Sequence, residues 1–152
     1  MSELLLKQFE VARGNFIKSI EKIPNEALDV QLEGLNNTIH WHIGHVLTVA
    51  EMMLFGFPKR STYLPENYVQ LFGNGTKPAD WPEEVPSVET LIGQIKEQSS
   101  RIQEIPVDSF TEKLPKPFLG SETFGELAFF AISHELHHLG QIHTSKLLIL
   151  NK

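Results

Sequence analysis

Residues 133–141 read Ser-His-Glu-Leu-His-His-Leu-Gly-Gln. His134 and His138 are four apart, so on a helix their rings stack one turn from each other. Two neutral imidazoles at that spacing suit a single first-row metal ion. Gln141 lies about 20° from His134 at roughly 100° per residue, which adds an amide to the same face. The competing reading is a pair of core histidines hydrogen-bonded to neighbouring helices. Two inward imidazoles with an amide beside them, and a second histidine-rich segment at residues 40–45, favour the metal.

The same stretch also spells H-E-x-x-H, the zinc-peptidase pattern in which the Glu activates water. Such peptidases usually take a third ligand from further along the chain. Only 14 residues follow His138, with no Asp or Glu among them. Their one histidine, His143, is about 180° round the helix from His134. The peptidase reading is therefore disfavoured. Glu135 is expected at the surface or behind a ligand, and not as a general base. His137, about 60° from His134, is expected behind a ligand, against the first helix, or partly exposed.

These residues need a helix to place them. Residues 123–150 contain no proline, and Ser121 or Thr123 can cap their start, with Glu126 completing a capping box. Phe124, Leu127, Ala128, Ala131, His134, His138, Ile142, Ser145 and Ile149 form one inward face. Three further helices follow from the same periodicity. The first covers about residues 3–21, with Leu5, Phe9, Ala12, Phe16 and Ile20 buried and Lys7, Glu10, Arg13 and Lys18 off the stripe. The second covers about 39–55, capped by Asn37 or Thr38, with Ile39, Ile43, Val46, Ala50, Met53 and Leu54 inward. Gly44 within it costs roughly 1 kcal/mol relative to alanine, which close approach of a neighbour or a ligand would explain. The third, capped by Ser87, ends near Ile105, with Val88, Leu91, Ile95, Ile102 and Ile105 inward.

No convincing period-2 strand is present, and four amphipathic helices imply an all-α four-helix bundle in one domain, residues 1–152. Residues 56–86 hold five prolines but also Tyr63, Tyr68, Phe72 and Trp81, so they read as an ordered crossover, with a turn or two of helix at 66–72. That length permits a parallel pair of helices. A third metal ligand should come from the second helix. His42 and His45 both lie near its inward face while His40 points elsewhere, and spacing does not choose between them. Trp41 is a possible pocket residue, and the other aromatic residues read as packing.

Composition narrows the partners. The chain has no cysteine, which removes disulfides and thiolate ligands and fits a cytoplasmic protein. A net charge of -6 without a Lys/Arg cluster argues against nucleic acid. No apolar run approaches a membrane span, and the amino-terminus does not read as a signal peptide.

Three segments together resemble the DinB-like superfamily. They are Trp41-His42-Ile43-Gly44-His45-Val46, then Phe72-Gly73-Asn74-Gly75-Thr76-Lys77-Pro78, and the closing His134-x-x-His137-His138-x-Gly140-Gln141-Ile142. The resemblance implies an up-down-down-up bundle with the crossover between helices two and three. It also implies a divalent ion, nickel or zinc, held by His45, His134 and His138. Three protein ligands leave positions open for water or substrate. Characterised relatives include thiol transferases and a maleylpyruvate isomerase. The expected activity is metal-dependent thiol transfer to a small electrophile, or hydrolysis, on a small-molecule substrate that includes a low-molecular-weight thiol. The alternative is a non-catalytic metal-binding or interaction module, dimeric through a bundle face. The catalytic residues themselves are not readable.

Overall fold

An apolar residue every three or four positions gives the first helix one buried stripe. In the computed structural model, which describes residues 2–151, α1 (Ser2–Ile20) buries Leu5, Phe9, Ala12, Phe16 and Ile20. Arg13 is buried with them at 2 % exposure, contrary to its expected place off the stripe. A carboxylate on the last helix accounts for this. A short helix α2 (Asn25–Leu28) follows Pro24.

Helix α3 (Ile39–Glu51) starts at Thr38, whose hydroxyl accepts from the Trp41 backbone N–H. Every residue from Ile39 to Glu51 is buried, so the single inward face expected of this helix is corrected to burial all round. The connection that follows folds back over it. A π-helical turn (Met52–Gly56) ends α3, and the crossover then carries α4 (Tyr68–Phe72) and a 3-10 turn (Pro78–Asp80). Buried Glu51 anchors this region. Arg101 donates to its two oxygens at 2.9 and 3.0 Å, and Gln98 and Ser61 add hydrogen bonds. The Arg101 guanidinium sits between the Phe55 and Tyr63 rings, 4.0 and 3.7 Å from their centroids.

Gly44 is explained by the close approach of the crossover. A Cβ there would lie 2.3 Å from the ring of Phe72, which is 0 % exposed. Gly44→Ala would gain about 1 kcal/mol of helix propensity but overpack a closed core, which costs about 1–3 kcal/mol. This overlap lies at the severe end, so a net loss of roughly 1–2 kcal/mol is expected in a urea titration. A Gly44→Ala chain as stable as the parent would contradict the packing.

Helix α5 (Val88–Gln103) is capped by Ser87 and buries Val88, Leu91, Ile95, Gln98 and Ile102. A 3-10 turn (Val107–Thr111) leads into a hairpin that the sequence pattern does not announce: β1 (Lys113–Phe118) pairs antiparallel with β2 (Ser121–Thr123). Pro115 and Pro117 concealed it. Both strands of a two-stranded ribbon are edges, where proline is tolerated. Leu119 and Gly120 turn the chain with φ of 51° and 79°, the positive pair of a type I′ hairpin. Thr123 then caps α6 (Phe124–Leu150) in a full capping box with Glu126.

The chain is mostly helical. Helices α1 and α3 each pack against both α5 and α6. Their core falls into two apolar clusters, one around Phe16, Ile43, Phe72 and Ile95, the other around Phe9, Val49, Ile102 and Leu127. Along the helices, Arg13, Thr48, Gln98 and Glu135 lie between the residues of the two clusters, and all four are buried. Among the described residues no helix is long and apolar enough to cross a membrane.

Candidate metal centre

Helix α6 turns His134 and His138 toward α3, and α3 answers with His45. One ring nitrogen from each of the three lies within 4.8 Å of the others. The Nε2 of His134 is 3.1 Å from Nε2 of His45 and 3.1 Å from Nε2 of His138. Hydrogen bonding alone leaves this arrangement unsatisfied. A ring nitrogen carries one proton or one lone pair, so His134 Nε2 cannot serve two neighbours well. A shared cation can. Donors about 2.0–2.1 Å from one ion lie roughly 3 Å apart when adjacent, which these separations match.

A backbone carbonyl fixes the tautomer of one ring. The Nδ1–H of His45 donates to the Phe72 carbonyl at 2.6 Å, so its Nε2 keeps a free lone pair. Such a partner is what a ligating histidine normally requires. Nδ1 of His138 is 2.9 Å from Nδ1 of His42. Of the two candidates on α3, His45 therefore joins the cluster and His42 braces His138 from behind. Trp41 stacks on His45, with centroids 4.4 Å apart and planes 15° apart, and its Nε1 donates to Thr76. His40 is committed elsewhere, to Asp29 and the Pro86 carbonyl.

The rings stay neutral. Burial first, then the neighbouring imidazoles led by His45, lower His42 and His134 to about 4 and His138 to about 2. Burial also lowers His45, opposed by its bond to Phe72. Neutral imidazole is the form that binds metal. The sign for the metal-free chain follows. The unfolded histidines take up protons near 6.5, and the folded ones resist until about 4. Stability is thus fully present above pH 6.5 and falls as the pH drops from 6.5 toward 4. Thermal melts of the apo chain at pH 7.5, 6 and 5 should show a falling Tm. A flat profile would contradict neutral buried rings.

The cluster opens on a cleft of about 490 Å³. Trp41, His42, His137 and Gln141 line it with the three histidines. Gln141 is exposed at its lip, which corrects its expected place on the buried face. His137 is exposed as well, edge-on to His138 at 5.3 Å. Asn36, Asn37, Asn74, Thr76 and Lys77 add side chains to the walls, with Gly75 between them. Spacing singles out none of these five, although the Phe72–Pro78 motif contains three of them. His143 opens on a different cavity, with Lys18, Lys22 and Lys146.

Glu135 is neither on the surface nor in the cleft. It is 1 % exposed, and its Oε2 accepts from Arg13 Nε at 2.7 Å. This corrects the surface expectation and leaves the H-E-x-x-H pattern without a water-activating carboxylate. Burial pushes the Glu135 carboxyl up, against the pull of Arg13.

The family profile described as DinB superfamily matches residues 8–142. No curated protein matches the chain.

Proposed function

Since the chain belongs to the DinB superfamily, we propose that it is a metal-dependent enzyme whose divalent ion is held by His45, His134 and His138. The observation that carries this reading is the convergence of three Nε2 atoms with the His45 tautomer set by Phe72. We read the four long helices as the up-down-down-up bundle of that family. Imidazole donors suit nickel and zinc. When bound, such an ion acidifies a coordinated water or thiol, giving a nucleophile near neutral pH.

The chain's own residues do the rest. His42 orients His138, and Trp41 keeps the His45 ring in plane. The amides of Asn36, Asn37, Asn74 and Gln141 offer donors and acceptors to a polar substrate. Among the described residues no carboxylate lines the cleft, and Lys77 is its one cation from Lys or Arg. Neutral or anionic substrates are therefore favoured over cationic ones. Thiol transfer to a small electrophile fits this lining, with hydrolysis as the second reaction to assay.

The test is to strip the chain, reload it with Ni²⁺ or Zn²⁺, and screen thiols against electrophiles. One ion per chain and metal-dependent turnover are expected. A chain that takes up neither ion would end the proposal. Stripping should lower Tm yet leave the helical circular dichroism in place, because the apolar clusters do not depend on the site. An unfolded apo chain would contradict that.

A further inference from the structure

Helix α6 carries a second pattern on its solvent side. Phe129, Ser133, Leu136, Gly140, His143, Leu147 and Leu150 follow one another at spacings of four and three, and all seven are exposed. That is heptad spacing kept over three repeats, with Phe129, Leu136, Leu147 and Leu150 as its large apolar members. From Phe129 to Leu150 none of the exposed residues is Asp, Glu, Lys or Arg. A solvated helix normally charges this face, and the chain as a whole has 21 % charged residues. Phe129 is 64 % exposed, Leu136 48 % and Leu147 47 %.

The seam is complementary to itself. Set antiparallel to its own copy about a two-fold near residue 138, six of the seven pair with one another, Phe129 with Leu147, Ser133 with His143, and Leu136 with Gly140, while Leu150 falls beyond the contact, opposite exposed Glu126. Apolar meets apolar, hydroxyl meets imidazole, and the large side chain meets the absent one. Among the described residues nothing lies within 4 Å of where a Cβ on Gly140 would stand, so packing among them does not require it. In a helix interior it costs about 1 kcal/mol relative to alanine. A partner side chain seated over it supplies the missing reason.

We infer that two copies of this chain associate through an antiparallel α6–α6 seam, with Leu136 of each packed over Gly140 of the other. The contact runs about 27 Å, eighteen residues at 1.5 Å each. A two-fold contact of this kind closes and does not propagate. Gly140 also lines the cavity shared with His42, His137 and Gln141, so the second copy would wall one side of the cleft.

Sedimentation equilibrium of the full chain should give twice the 17.3 kDa chain mass. Leu136→Glu should return it to a monomer, with circular dichroism and metal stoichiometry unchanged. The absence of native cysteine makes the register directly testable. Ser133→Cys with His143→Cys should form a covalent dimer under mild oxidation, while either alone should not. A parent chain that stays monomeric, or that floats with neutral lipid vesicles as a monomer, overturns the inference. So does a Leu136→Glu chain that remains dimeric, or efficient crosslinking by Ser133→Cys alone.

Discussion

His134→Ala and His138→Ala are each expected to abolish retention of divalent metal. Either change leaves two imidazoles of a group whose three nitrogens lie within 4.8 Å of one another, with 3.1 Å contacts through His134 Nε2. Loss of a direct ligand should exceed the roughly 10–100-fold typical of groups behind a ligand. His42→Ala belongs to that second class, because its Nδ1 faces Nδ1 of His138 and not the common point. His143→Ala, in another cavity, should leave affinity unchanged. Equilibrium dialysis with elemental analysis ranks the four. The site is misassigned if the His143 variant loses metal as readily as the His134 variant.

The second large effect concerns stability. Arg13→Ala strands the Glu135 carboxylate at 1 % exposure, and removing one partner of a buried pair costs about 3–5 kcal/mol. For a chain of this size that is roughly a 6–20 °C fall in Tm. Glu135→Ala should cost as much. Replacing both, as Arg13→Met with Glu135→Leu, should recover most of the loss, since well-packed apolar residues often match a buried ion pair. Metal affinity per folded chain should change little. A Glu135→Gln chain that folds normally but loses a measured hydrolysis would instead restore a catalytic role for that carboxylate.

What could be read from the sequence was whatever depends on neighbours along one helix. Thr38, Ser87 and Thr123 signal helix starts because a hydroxyl bonds an amide two or three residues on, and each does so here. The i, i+4 spacing of His134 and His138 is equally local. Pairings between helices were not legible. Arg13 and Glu135 are 122 residues apart, and each alone looks like an ordinary surface charge. Helical spacing left His42 and His45 equal and only the family resemblance favoured His45; the physical reason is the Phe72 carbonyl, which the crossover delivers from 27 residues away. The hairpin was hidden because its prolines say nothing of a two-edged ribbon. Gln141 was misplaced because a helical angle gives direction around an axis but not how far a neighbour covers it.

The stacking of Trp41 on His45 turns the molecule into its own optical instrument. The chain has two tryptophans. Trp41 lies with its indole plane against a ring of the metal centre, while Trp81 packs behind, against His40 and Phe72. Nickel, an open-shell ion, quenches the emission of an indole this close, whereas closed-shell zinc chiefly shifts its wavelength. A Trp81→Phe chain would leave one indole, and its emission, excited beyond the tyrosine band, would follow nickel loading, exchange and release in real time without an added dye.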